Sequence, residues 1–194
     1  MDFIFKKPQR EIDRVFLHCS ASSLSSHDDV EVIRSWHKQN GWSDIGYHLY
    51  ITFDGRVHIG RDIEKSPAAQ KGHNVGTIAI CLSGLVEDDF TEDQFESLIN
   101  LCQQIHNEIP DVTFHGHCEV SDKDCPVFHY REVLGLNEFG EYWNNNRFDD
   151  KPDEKLIEAR EEFISIFEEL LDLNRRTNRL TERSKVLGDL IDEL

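Results

Sequence analysis

Two short segments hold the chemistry open to this chain: His18-Cys19-Ser20, and His117-Cys118-Glu119-Val120-Ser121-Asp122-Lys123-Asp124-Cys125-Pro126. In the second, a His and a Cys stand eight positions apart, with Lys123 two residues before the Cys. Two imidazoles and one thiolate make a ligand set for Zn²⁺. Three protein ligands leave a fourth position for water, as in a catalytic rather than a structural zinc site. The chemistry expected is that of a zinc hydrolase. Spacing leaves alternatives open, because His115 competes with His117: residues i and i+2 on a strand share a face. Cys19 and Cys118 compete with Cys125, although each neighbours a His and points the other way where strand geometry persists. Cys102, on the apolar face of a helix, and Cys81, in a core strand, are expected to be small buried hydrophobes.

The elements that must position these groups lie in the first 150 residues, which mix strand and helix signals. Arg14-Val15-Phe16-Leu17-His18-Cys19 is an apolar run ending in small polar residues, as expected of a buried strand entering a loop. Asp28 or Asp29 caps a helix with Val30, Ile33, Trp36 and His37 on one face, stopping near Gly41. Tyr47 to Phe53, then Asp54-Gly55, then Arg56 to Ile59 predicts a hairpin, since Asp-Gly accepts the positive φ of a tight turn. Thr77 to Leu82 predicts another core strand. Thr91 with Gln94 is a capping-box pair before a helix carrying Phe95, Leu98, Ile99, Leu101, Cys102 and Ile105. Val112 to His117 predicts a last strand, so that His18 and His117 both stand at strand ends, where loops over a sheet build sites.

Composition narrows the partners. A net charge of −17 argues against broad nucleic-acid binding, which needs a basic footprint, and against attraction to an anionic membrane. So large a negative charge is read first as solubility. No run of about 18 apolar residues predicts membrane insertion. The N-terminus lacks the apolar segment of a secretory signal, so synthesis in the cytoplasm is expected. Five cysteines, an odd number, fit reduced thiols or metal ligands better than a disulfide framework.

After Lys151-Pro152 the composition changes. From Asp153 to Leu194 there is no Pro and one Gly. Leu156, Phe163, Leu170, Thr177, Ser184 and Ile191 fall at heptad position a, and Ala159, Ile166, Leu173, Leu180, Leu187 and Leu194 at d. Ten of these twelve are apolar, which predicts a long amphipathic helix of coiled-coil type. Residues 153–194 are thus expected to self-associate, with docking on the chain's own domain or on another protein as the alternatives.

Several segments, in order, carry a resemblance: Val15 to Ala21, Ile33 to Lys38, Gly41 to His48, Asp54-Gly55-Arg56-Val57, Gly60-Arg61-Asp62, Ile78 to Leu82, and His117 to Pro126. They resemble the zinc-dependent N-acetylmuramoyl-L-alanine amidases, which share a fold with peptidoglycan recognition proteins, and in particular the small amidases of T-odd coliphages. The resemblance spans roughly residues 10 to 135. It implies an α/β domain over residues 1–150, with a central mixed β-sheet flanked by helices and a zinc site at its edge. It further implies Zn²⁺ ligands His18, His117 (rather than His115) and Cys125, catalytic assistance from Tyr47 and Lys123, and a substrate-side loop at His73. The activity implied is hydrolysis of the muramoyl–L-alanine amide of peptidoglycan by a phage endolysin made in the host cytoplasm. The Lys123 ammonium would stabilise the oxyanion, and the Tyr47 phenol the tetrahedral centre. Two other readings are an interaction protein acting through its C-terminal helix and a peptidoglycan-binding module without catalysis. Such modules typically lack the Cys ligand, so Cys125 speaks against the second. Some relatives also bind RNA polymerase through their N-terminal segment. Phe5 to Glu11 is similar in composition but departs from it in Pro8 and in a shifted spacing; a phage or host RNA polymerase is a further implied partner.

Overall fold

The computed structural model of the chain describes residues 3–142. The tail expected to form a coiled coil, residues 153–194, and the domain boundary near residue 150 lie outside the described residues. Five strands form one mixed sheet: β1 (Arg14–Cys19), β2 (Leu49–Ile51), β3 (Val57–Ile59), β4 (Thr77–Leu82) and β5 (Thr113–Gly116), in the order β3-β2-β4-β1-β5. β1 runs parallel to both β4 and β5, β2 is parallel to β4, and only β3 is antiparallel to its neighbour. Among the described residues three α-helices accompany it: α1 (Val30–Gln39), α2 (Glu92–Glu108) and α3 (Tyr130–Leu134).

Alternation along the central strands assigns the two faces. Val15 and Leu17 of β1 and Ile78, Ile80 and Leu82 of β4 pack with Leu98, Leu101, Cys102 and Ile105 of α2, and with Tyr130 and Leu134 of α3. On the other face, Tyr50 and Cys81 pack with Val30 and Ile33 of α1. Strands covered on both sides bury every residue, and β4 does so along its whole length. Its Thr77 to Leu82 sequence is therefore apolar without alternation. Cys81 and Cys102 are buried free thiols, as expected of small hydrophobes.

Local signals set the element ends. The Asp29 carboxylate accepts from the Glu31 N–H at 2.7 Å and caps α1, so of the two candidates Asp29 is the cap. The capping box of α2 is formed by Thr91 and Gln94. The same Gln94 amide also donates to Ile51 O (3.1 Å) and Ser83 O (3.0 Å), tying the helix start to the ends of β2 and β4. Gly55 takes φ +74° in the β2–β3 turn and lies so close to the Asp93 carbonyl of α2 that a side chain there would collide with it. At the N-terminus, Phe5 is buried in the core and its N–H donates to Gln104 at 2.8 Å. Part of the segment that resembles a polymerase-binding one is thus committed to the fold. Among the described residues no helix is long and apolar enough to cross a membrane.

Candidate active site

Because β1, β4 and β5 are parallel, their C-terminal ends collect on one edge, where open α/β sheets build their sites. His18 is the penultimate residue of β1, paired with Cys81 of β4, and is 1% exposed. β5 stops at Gly116, and His117 starts a 3-10 turn, His117–Glu119. The strand expected over Val112 to His117 is therefore one residue shorter at each end. That difference separates the competing histidines, since the i, i+2 rule holds only while the strand continues. His115 stays on β5 and uses both ring nitrogens elsewhere, Nδ1 with Glu119 and Nε2 with Thr113 Oγ1, each at 2.8 Å.

The loop from 117 to 125 folds back on itself. The Cys118 N–H donates to Cys125 O at 2.6 Å, and the Ser121 hydroxyl to His117 O at 3.1 Å, which places Cys125 beside His117. One ligand atom from each of His18, His117 and Cys125 lies within 4.8 Å of the other two. His18 Nδ1 is 3.9 Å from Cys125 Sγ, and the His18 and His117 ring centroids are 4.6 Å apart. Of the competing thiols, Cys118 is exposed, whereas Cys19 is buried with its sulfur 3.9 Å from Cys125 Sγ and its N–H donating to that sulfur.

The electrostatics hold both imidazoles toward the neutral form that a metal ligand requires. Burial, then the nearby charges of His117 and Lys123, hold His18 down to about 3, so its ring is neutral. His117 is lowered by burial and by the Lys123 ammonium. The hydrogen bond with the Cys19 sulfur, then burial, push the Cys125 thiol upward, so without a metal it keeps its proton. Binding a divalent ion would release that proton. The Tyr47 ring lies 5.1 Å from that of His18. Burial, with the sulfurs of Cys81, Cys125 and Cys19 nearby, raises its phenol well above 10, which keeps it a hydrogen-bond donor at any working pH. Lys123 is exposed on the closing loop, near enough to depress both imidazoles.

Rings continue outward from the cluster. His37 of α1 lies 5.4 Å from Tyr47 and 4.6 Å from Trp42, which is 44% exposed. His73 is exposed on the loop before β4, is not among the three clustered groups, and its backbone N–H donates to Gln70 O. One residue of that loop was not singled out by spacing or type: Gln70, fully buried, with Oε1 3.2 Å from His18 Nε2. A lone Gln in a loop carries no sequence signal of burial, and only the fold brings it to His18.

A parallel sheet edge that gathers two imidazoles, a thiol, a phenol and an ammonium is the layout of a hydrolase site with a place that could hold a metal ion. The family model of N-acetylmuramoyl-L-alanine amidases matches residues 8–128, and the chain belongs to that family. It is similar to the endolysin of Escherichia phage T7, with 36% identity over 138 residues that cover 68% of this chain and 91% of that protein. A more distant relative is peptidoglycan-recognition protein SC1a of Drosophila melanogaster, 29% identical over 115 residues, 55% of this chain and 60% of that protein. Among solved structures, the N-acetylmuramoyl-L-alanine amidase LysC from Clostridium intestinale URNW superposes with a TM-score of 0.60 at 26% identity, covering 71% of this chain and 96% of that one.

Proposed function

We propose that the chain is a phage endolysin that hydrolyses the amide between the lactyl carbonyl of N-acetylmuramic acid and L-alanine in peptidoglycan, using Zn²⁺ held by His18, His117 and Cys125. The observation that carries the reading is the meeting of those three ligand atoms within 4.8 Å, in a chain of this family. The donor set fits the ion. Two neutral imidazoles and one thiolate are borderline-soft ligands that Zn²⁺ accepts, and a three-ligand set is an open one. When bound, zinc supplies Lewis acidity toward the amide carbonyl and a water whose pKa falls toward about 7.

The chain's own groups do the rest. Tyr47, kept protonated by burial, donates a hydrogen bond to the oxygen on which negative charge develops. The Lys123 ammonium stabilises the same charge from the solvent side of the site. His18 and His117 stay neutral, so neither adds a competing positive charge. His73, exposed on the loop before β4, is the proposed contact for the glycan or stem peptide. Residues 153–194 are proposed as a separate oligomerising helix that displays several catalytic heads, which would gain avidity on a polymeric wall. Its place of action is the wall of the cell that makes it.

Metal analysis and a murein-release assay on one sample test this reading. The expected result is one zinc per chain and new free L-alanine amino termini in digested sacculi. Cleavage of a glycosidic or cross-bridge bond instead, or full activity in metal-stripped protein, would refute it.

A further inference from the structure

We infer that Gln70 is a positioning residue for the metal site: its side-chain amide fixes which nitrogen of His18 carries the proton. This rests on the proposed reading of His18, His117 and Cys125 as metal ligands. The argument is a count of donors and acceptors along one buried chain. The Thr77 hydroxyl donates its single proton to Asn74 O at 2.9 Å. Thr77 Oγ1 can then only accept, and it does so from Gln70 Nε2 at 2.7 Å. The same NH₂ group also faces the His73 carbonyl at 3.4 Å. Both neighbours of that end of the amide are acceptors, so the NH₂ must stand there and Oε1 must face His18.

An amide oxygen has no proton to give. The 3.2 Å contact between Gln70 Oε1 and His18 Nε2 therefore requires the hydrogen on Nε2. The neutral ring then keeps its lone pair on Nδ1, the nitrogen turned toward Cys125 Sγ at 3.9 Å. Gln70 and Thr77 are both fully buried and His18 is 1% exposed, so no bulk water competes for these groups. The loop is held in register by the Asn74 side chain, whose Oδ1 accepts from the N–H groups of Ala69 and Gln70 at 3.1 Å each. Strand β4 thus reaches back through Thr77, at its first residue, to set the tautomer of a ligand near the end of β1.

Partners of this kind orient a ligating imidazole and keep its free nitrogen available, and removing one typically weakens metal binding about 10–100-fold. The test uses full-length protein and reads two quantities besides activity. One is zinc affinity by competition with a chromogenic chelator. The other is the His18 tautomer in metal-free protein, from nitrogen shifts in histidine labelled with ¹⁵N. Gln70→Met keeps the volume but loses the acceptor; it is expected to mix the His18 tautomers and to lower zinc affinity about 10–100-fold. Gln70→Glu keeps an acceptor for Nε2–H but gives up the donor to Thr77 Oγ1 and the His73 carbonyl, so it should keep the His18 proton on Nε2 where Gln70→Met does not. Thr77→Val removes the group that orients the amide and should give an intermediate loss, which keeps the inference testable should Gln70→Met not fold. An unchanged tautomer and affinity in Gln70→Met and Thr77→Val would overturn the role of Gln70. Absence of zinc binding by the wild type would refute the metal reading itself, and a wild-type His18 protonated on Nδ1 would refute the tautomer argument alone.

Discussion

Tyr47→Phe is the substitution that best isolates chemistry from fold at this site. The change removes one hydroxyl and leaves the ring, so the 5.1 Å contact with His18 and the 5.4 Å contact with His37 persist. Losing one buried hydroxyl, with whatever hydrogen bond it makes, costs about 1 kcal/mol of stability. In the proposed reaction the same hydroxyl would face a developing oxyanion, where loss of one donor typically costs about 2.7–4 kcal/mol, or roughly 10²–10³ in rate. The two magnitudes differ enough to separate the effects. Turnover should fall about 10²–10³-fold while the melting temperature and metal content hardly move. The phenol stays protonated well past 10, so the loss should be the same at acid and alkaline pH. Release of free amino groups from sacculi, with zinc content measured on the same preparation, decides it. A Tyr47→Phe variant with full metal and wild-type turnover would refute the role of Tyr47, and a pH-dependent loss would refute the argument from burial.

The other expectations can be stated briefly. Cys125→Ser should lose metal and activity together, and full zinc occupancy in that variant would remove Cys125 from the ligand set. Lys123→Ala, at an exposed position, should keep its zinc and its fold while turnover falls by about 10²–10³; near-normal turnover would make Lys123 an ordinary loop residue. His48 is held down to about 4, mainly by burial, with Nδ1 accepting from Ala79 N–H and Nε2 donating to Lys65 O. Its folded pKa lies below its unfolded value of 6.5, so the unfolded chain binds the extra proton. Stability should fall as pH drops from 6.5 through about 4, by about 3 kcal/mol in total. His48→Asn should flatten that part of the urea-denaturation profile, and an unchanged slope would show that His48 is not its source. Deleting residues 153–194 should give a monomer by light scattering that still cleaves soluble muropeptides, whereas a monomeric full-length protein would refute self-association.

Most of the sheet was legible because its signals are local. Arg14–Cys19 and Thr77–Leu82 form strands with the boundaries expected, since a continuous apolar run has few alternatives once it must be covered on both faces. Asp29, Thr91 and Gln94 cap helices as their types and spacing suggest. The hairpin has the expected Asp-Gly turn but shorter strands, Leu49–Ile51 and Val57–Ile59, although Tyr47 O and His48 O still accept from the Arg61 and Gly60 N–H groups beyond the strand ends. Helix α3 escaped notice, as five residues leave too little periodicity to register.

The site divides along the same line. Which residues carry ligand chemistry is a matter of type, and His18, His117 and Cys125 could be picked out on that ground. Spacing alone could not choose His117 over His115. The choice depends on β5 ending at Gly116, and on the Cys118–Cys125 backbone bond that turns the next loop toward His18. The closeness of Cys19 and Cys125 was likewise hidden, because it depends on how that loop returns over the end of β1. Gln70 shows the limit most clearly. Its contact with His18 spans 52 residues and passes through Thr77, whose own role in sequence was that of a strand's first residue. A ligand can be recognised one residue at a time, but the proton on its far nitrogen is set by a fully satisfied chain of bonds across two strands and a loop. Substitutions in that chain should therefore alter metal affinity without touching a ligand, a class of effect that ligand motifs do not reveal.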